Sequence, residues 1–135
     1  MENVAKIKKK KLLIVEDDLE NQKLLEVLLN KEFEVEVCDS EQTFYEQLKS
    51  NKFEIILIDI SIRGRKDGLE LTKELKHTSG YENVTVVCLT GHAYRKDKEN
   101  ALKAGVDVFL IKPINNDVLV NTLLEVGHME KRIVL

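Results

Sequence analysis

Four short apolar runs in this chain each end on a residue able to do chemistry. Leu12-Leu13-Ile14-Val15 leads into Glu16-Asp17-Asp18, and Ile55-Ile56-Leu57-Ile58 leads into Asp59. Val86-Val87-Cys88-Leu89 leads into Thr90, and Val108-Phe109-Leu110-Ile111 leads into Lys112. Brought to one rim, these side chains gather three or four carboxylates, a hydroxyl and an ammonium. Two carboxylates about 4 Å apart repel by roughly 4 kcal/mol at an effective dielectric of 20. Folding alone gives no reason to accept that cost. Hard anionic oxygens with few other protein ligands suit Mg²⁺, which keeps several waters and often bridges to phosphate oxygens. A carboxylate beside such a cation and a lysine is a candidate nucleophile toward phosphorus. The cation and Lys112 would neutralise the oxygens of the transferring group, and Thr90 would donate to a newly attached phosphoryl group. Neither a G-x-G-x-x-G nor a G-x-x-x-x-G-K-[ST] stretch follows the first run, which argues against a dinucleotide or P-loop site.

The elements that must position these residues follow from hydrophobic spacing. Lys11 to Val15 reads as a first strand. Leu24, Leu25, Leu28 and Leu29 predict a helix from about Glu20 to Asn30. Phe33, Val35 and Val37 alternate with Glu34 and Glu36 in a half-exposed second strand. Ser40 is a candidate N-cap for a helix carrying Phe44 and Leu48. Phe53 to Ile58 is a third strand whose apolar run argues burial on both faces. Asp67-Gly68-Leu69-Glu70 has the form of a capping box. Val84 to Leu89 is a fourth strand, and the next helix stops at Ala104 before Gly105, a suitable C′ residue. Val108 to Ile111 is a fifth strand. A last helix begins near Asn115 or Asn116 and runs to Gly127. Five strands alternating with five helices imply an α/β fold, a doubly wound five-stranded parallel sheet of the flavodoxin-like kind, in the order 2-1-3-4-5. In such sheets ligands bind beyond the carboxyl ends of the strands, where the winding reverses. All four chemical positions lie there.

The chain has 135 residues, of which 43% are hydrophobic and 5% aromatic, with no Trp. That length makes one domain able to bury about two-thirds of its unfolded surface, and its core must be aliphatic. No apolar stretch approaches the roughly 20 residues of a membrane span, and the Lys-rich start lacks the apolar region of a signal peptide. The net charge of −3 hides an asymmetry: residues 1–11 carry +4 and the remainder −7. An acidic body argues against direct nucleic-acid binding, and Lys8 to Lys11 read as a solvated lead-in. Cys38 and Cys88 lie far apart in apolar stretches with no metal-ligand spacing. They read as buried free thiols of a reducing, cytoplasmic compartment. The expected organisation is a basic lead-in over 1–9, a folded domain over 10–127 and a tail over 128–135.

Taken in order, several pieces resemble the CheY-like receiver domains of two-component response regulators. They are Leu12-Leu13-Ile14-Val15-Glu16-Asp17-Asp18, Ile58-Asp59, Asp67-Gly68-Leu69-Glu70-Leu71, Leu89-Thr90-Gly91, Ala104-Gly105 and Lys112-Pro113. The resemblance implies that Asp59 accepts a phosphoryl group from a phosphohistidine on a sensor histidine kinase or histidine phosphotransfer protein. It implies Mg²⁺ held by Asp17 directly, by Glu16 through water, by Asp59 and by the backbone carbonyl of Ser61, whose side chain is then free to vary. Lys112 would contact the phosphoryl group. Thr90 and Phe109 would form the switch, the hydroxyl moving to the phosphate and the ring turning inward behind it. The Lys112–Pro113 peptide is expected to be cis. Such a protein catalyses only its own phosphorylation and dephosphorylation.

Some residues admit two readings. Asp18 is a third ligand or, more simply, a helix cap. His92 borders the site or is merely exposed, and His77 and His128 read as surface residues near helix ends. The segment Ile60 to Asp67 lacks the family's usual proline and is one residue longer. Its Arg63, Arg65 and Lys66 either form a solvated loop or steer an anionic donor. The last helix lacks the Arg-rich face of receivers that dimerise on DNA, so a monomer or weak dimer is expected, either stand-alone or part of a larger regulator or hybrid kinase. A Mg²⁺-dependent phosphohydrolase of the dehalogenase type would want a second Asp two residues after Asp59, where this chain has Ser61. A degenerate scaffold would not need Asp17, Asp59, Thr90 and Lys112 all intact.

Overall fold

A computed structural model describes residues 8–62, 64–91 and 95–128. Its strands are β1 (Lys10–Val15), β2 (Phe33–Cys38), β3 (Ile55–Ile58), β4 (Thr85–Thr90) and β5 (Val108–Ile111). The helices that alternate with them are α1 (Leu19–Leu29), α2 (Glu41–Ser50), α3 (Gly68–Lys76), α4 (Arg95–Ala104) and α5 (Asn116–His128). The strands form one parallel sheet in the order β2-β1-β3-β4-β5, the doubly wound arrangement expected.

Successive strand residues face opposite sides of a sheet, and here both sides are covered. Leu13, Val15, Ile56, Ile58, Val86 and Cys88 pack with Phe44 of α2, Leu71 and Leu75 of α3 and Ala101 of α4. Leu12, Ile14, Ile55, Leu57, Val87 and Leu89 pack with Leu29 of α1 and Leu119, Leu123 and Val126 of α5. The pure aliphatic runs are therefore central strands buried on two faces. β2 lies at an edge, which is why Glu34 and Glu36 alternate into it.

Helix ends follow local chemistry. Asp18 Oδ1 accepts the Glu20 N–H at 3.0 Å, so Asp18 is the cap of α1. Ser40 and Thr43 cap α2 reciprocally, and Asp67 and Glu70 do so for α3. Beyond α4, Gly105 has φ +111°. Its N–H donates to the Leu102 carbonyl and that of Val106 to Ala101, a Schellman ending that requires the left-handed backbone. β3 begins two residues later than Phe53, whose N–H donates to the Tyr81 hydroxyl at 3.4 Å.

Cys38 and Cys88 are buried free thiols on strands separated by two others. Burial pushes both up to about 12, so both stay protonated and unreactive at neutral pH. His77 is exposed at the end of α3, its Nδ1 2.8 Å from the Lys73 carbonyl. Arg63, His92 and the side chain of His128 lie outside the described residues.

Candidate functional site

Ladder hydrogen bonds carry the four chemical positions to one rim. The Glu16 N–H donates to the Cys38 carbonyl at 3.0 Å and the Asp59 N–H to Val15 at 3.1 Å. The Lys112 N–H donates to Thr90 at 2.7 Å. Each residue leaves the sheet beside its neighbour, at the point where β1 lies between β2 and β3 and the winding reverses. The Lys112–Pro113 peptide is cis, as expected.

Lys112 Nζ lies 3.3 Å from Asp59 Oδ2 and 3.5 Å from Glu16 Oε1. One ammonium thus faces two carboxylates, with Asp17, half-buried, adding a third nearby charge. Glu16 is 3% exposed. Burial first, and the charges of Asp59 and Asp17 after it, hold its carboxyl above the usual range, against the Asp18 N–H and Lys112, which pull it down. Glu16 is held in place by its neighbours: its Oε2 accepts the Asp18 N–H at 3.1 Å, and the Gln22 side-chain amide donates to its carbonyl. Asp59 is 9% exposed at the end of the central strand.

The raised Glu16 has a consequence for stability without metal. A carboxyl whose folded value exceeds its unfolded one binds its proton more tightly in the native state. Stability is then fully present at low pH and falls as pH rises from about 4.5 through the raised value. Glu16→Gln is expected to raise the thermal midpoint at pH 7 in chelator-treated buffer. The gain should vanish near pH 4, where both side chains are neutral. Thermal melts monitored by circular dichroism across that range check this. A lower midpoint at pH 7 would contradict the electrostatic account.

Around Asp59 the chain is tightly drawn. The N–H and hydroxyl of Ser61 both donate to Asp59 Oδ1, at 2.8 and 2.7 Å. The Ser61 side chain, expected to be free to vary, therefore engages the candidate nucleophile. The Gly68 N–H donates to the Ile60 carbonyl at 3.2 Å. A Cβ on Gly68 would sit 2.6 Å from the Asp59 carbonyl oxygen and 2.7 Å from Ile60 Cα. Gly68 is thus a site residue through its lack of a side chain, a role its place in a capping box does not reveal.

Thr90 is fully buried at the end of β4. It lies two residues beyond Cys88, hence on the same sheet face, and Phe109, paired with Cys88, packs half-buried on that face. Arg65 does not point to the carboxylates. Its Nη2 lies 3.0 Å from Glu41 Oε2 at the start of α2. Lys66 Nζ lies 3.5 Å from the same oxygen and 2.5 Å from Glu74 Oε2 of α3. These two cations of the loop tie it to the helices beneath.

The donors fit a small, hard divalent cation: they are oxygens alone, with negative charge in excess of the single lysine and partly out of water. Among the described residues no three acidic, histidine or cysteine side chains close into a metal cage. A cation here would rely on one or two carboxylates and keep waters, the habit of Mg²⁺ rather than Ca²⁺.

The chain is thus an open α/β sheet with acids, a lysine and a buried threonine gathered at the carboxyl ends of its strands. Residues 12–124 match the response regulator receiver domain family, and the chain belongs to that family. Receiver domains are signalling modules rather than enzymes acting on a separate metabolite. The chain is 35% identical over 117 residues to hybrid signal transduction histidine kinase I of Dictyostelium discoideum, covering 81% of this chain and 7% of that protein. It is 33% identical over 114 residues to the signal transduction histidine-protein kinase BarA of Escherichia coli, covering 84% of this chain and 12% of that one. It therefore spans a small fraction of these relatives. The receiver domain of the Pseudomonas aeruginosa sensor histidine kinase PA1611 superposes with a TM-score of 0.81 at 25% identity, over 90% of this chain and 100% of that one. That structure carries a magnesium ion coordinated in its active-site cleft. The Vibrio cholerae chemotaxis protein CheY4 superposes with a TM-score of 0.82 at 23% identity, over 88% of this chain and 99% of that one.

Proposed function

We propose that this chain is a phosphorylation-controlled binding module in a two-component phosphorelay, with Asp59 as phosphoacceptor. The observation that carries the reading is the Lys112 ammonium 3.3 Å from an Asp59 oxygen, beside the buried Glu16. An Asp59 oxygen forms the O–P bond as the bond from phosphorus to a donor imidazole nitrogen breaks. The electron pair stays on that nitrogen, which later takes a proton from solvent. Lys112 balances charge on the oxygens in flight; Asp17, Asp59 and the Ser61 carbonyl would hold Mg²⁺, with Glu16 acting through water. The bound cation supplies neutralisation of the phosphoryl oxygens. Thr90 then moves to the phosphoryl group and Phe109 turns inward, changing the surface around β4 and β5. The same site catalyses hydrolysis of its own acyl phosphate. We place the protein in the cytoplasm, on its free buried thiols. Residues 10–127 form the functional unit.

The direct test is incubation of the protein with acetyl phosphate and MgCl₂. Intact-mass spectrometry should show one added phosphoryl group, removed by hydroxylamine and blocked by EDTA. No uptake, or uptake that EDTA leaves unchanged, overturns the reading.

The phosphodonor is a sensor histidine kinase or a histidine phosphotransfer protein, and it docks on α1. A groove beside Lys112 is lined by Leu24 and Leu25 of α1 together with Pro113, Ile114 and Leu119. Leu24 is 69% exposed there and Val27, a turn further along, 74%. This apolar surface includes Lys112 in its lining, so a donor docked on it sits beside the residue that faces Asp59. Leu24→Asp should leave stability within about 0.5 kcal/mol, being exposed. It should slow transfer from a cognate phosphorylated kinase by roughly tenfold or more while sparing uptake from acetyl phosphate. Paired rapid-quench measurements with the two donors check this.

A further inference from the structure

We propose that the Ser61 hydroxyl competes with the divalent cation for Asp59, so that it sets the cation affinity of the site. The inference rests on the phosphoacceptor reading above and adds to it a residue that tunes metal entry.

Both Asp59 oxygens are engaged. Oδ2 faces Lys112 Nζ at 3.3 Å. Oδ1 accepts two hydrogen bonds from Ser61, one from the backbone N–H at 2.8 Å and one from the hydroxyl at 2.7 Å. A carboxylate oxygen has two in-plane lone pairs, so both lone pairs of Oδ1 are occupied. A cation approaching Oδ2 meets an ammonium of like charge. A cation approaching Oδ1 must displace one of the Ser61 donors.

The two donors are not equally easy to displace. The N–H is fixed by the turn that leads from β3, and its direction cannot change without moving the chain. The hydroxyl turns about a single side-chain bond, and Ser61 is exposed, so a released hydroxyl finds water at once. The hydroxyl is therefore the donor that yields. Its bond to an ionised acceptor is stronger than a neutral one, and cation binding must break it. Ser61 is a positioning residue: it holds Asp59 in the metal-free state and resists the ion that activates it.

The test is isothermal titration of the full 135-residue chain with MgCl₂, without phosphodonor. Wild type, Ser61→Ala and Ser61→Thr are compared. Ser61→Ala removes the competing hydroxyl and should bind Mg²⁺ roughly three- to tenfold more tightly, the bond to the carboxylate being offset in wild type by the one that the released hydroxyl makes to water. Ser61→Thr keeps a hydroxyl and should stay within about twofold of wild type on the same basis. The Mg²⁺ concentration that half-saturates the thermal shift should fall in step for the alanine variant alone. Equal or weaker binding by Ser61→Ala overturns the inference, as does Ser61→Thr behaving like alanine. Wild type that takes up no Mg²⁺ overturns both this inference and the phosphoacceptor reading. Wild type that binds, with an alanine variant no tighter, overturns this inference alone.

Discussion

Asp59→Asn should abolish phosphoryl uptake from acetyl phosphate and from any kinase, leaving the fold intact. The reason lies in how differently the rim's carboxylates are employed. Asp18 caps α1 and has an oxygen committed to the Glu20 N–H. Glu16 is 3% exposed, with one oxygen on the Asp18 N–H. Burial raises its proton affinity, and its nearer oxygen stands 3.5 Å from Lys112. Asp59 has the ammonium 3.3 Å away, at the end of the strand that the winding places centrally. An amide in its place keeps the shape and loses the anionic nucleophile. Intact-mass spectrometry after exposure to acetyl phosphate and Mg²⁺ should show complete loss of the added phosphoryl group. Circular dichroism should show a native spectrum. Undiminished uptake by the variant would move the chemistry to another carboxylate.

The parts of this site that sequence makes legible are those fixed by short-range pattern. Unbroken burial along Leu12 to Val15 and Ile55 to Ile58, where both faces are covered, dictates which residues leave the sheet at its rim. Once β1 and β3 are neighbours, Glu16 and Asp59 must meet. Caps at Asp18, Ser40 and Asp67 are equally local, since each side chain bonds an N–H two or three residues on. What is not legible depends on the path of a turn or on partners far along the chain. Arg65 beside an anionic site suggests steering of a donor, yet it pairs with Glu41, 24 residues earlier, because the α2 start lies under the loop. Burial of charge at that pair is slight, and its contribution to stability is correspondingly small. The Ser61 hydroxyl reaches Asp59 only because the turn after β3 folds back on itself. No spacing rule distinguishes that from a serine facing water.

Gly68→Ala is expected to destabilise the domain and slow phosphorylation together, although alanine is the better helix former. Propensity alone favours the substitution by up to about 1 kcal/mol in a helix interior, and by less at the first helical residue, where Gly68 lies. Against this stands the added methyl, 2.6 Å from the Asp59 carbonyl oxygen and 2.7 Å from Ile60 Cα. Both distances are far inside the roughly 3.5 Å at which carbon atoms pack without repulsion. The obstructing atoms are backbone, so no rotamer change relieves them, and α3 and the β3–α3 turn must separate. The expected net cost is about 1–3 kcal/mol, read as a fall in thermal midpoint of roughly 3–10 °C for a chain of this size. The displacement falls on the peptide that carries Asp59. A shift of about 1 Å in a reacting group can cost on the order of a hundredfold in rate. Uptake from acetyl phosphate at saturating Mg²⁺ should therefore slow by roughly ten- to a hundredfold at temperatures where the variant remains folded. Two measurements decide it: the melt, and the uptake rate well below the midpoint. A stable variant with the wild-type rate would mean that the turn accommodates a side chain, and that Gly68 does not fix the position of the phosphoacceptor.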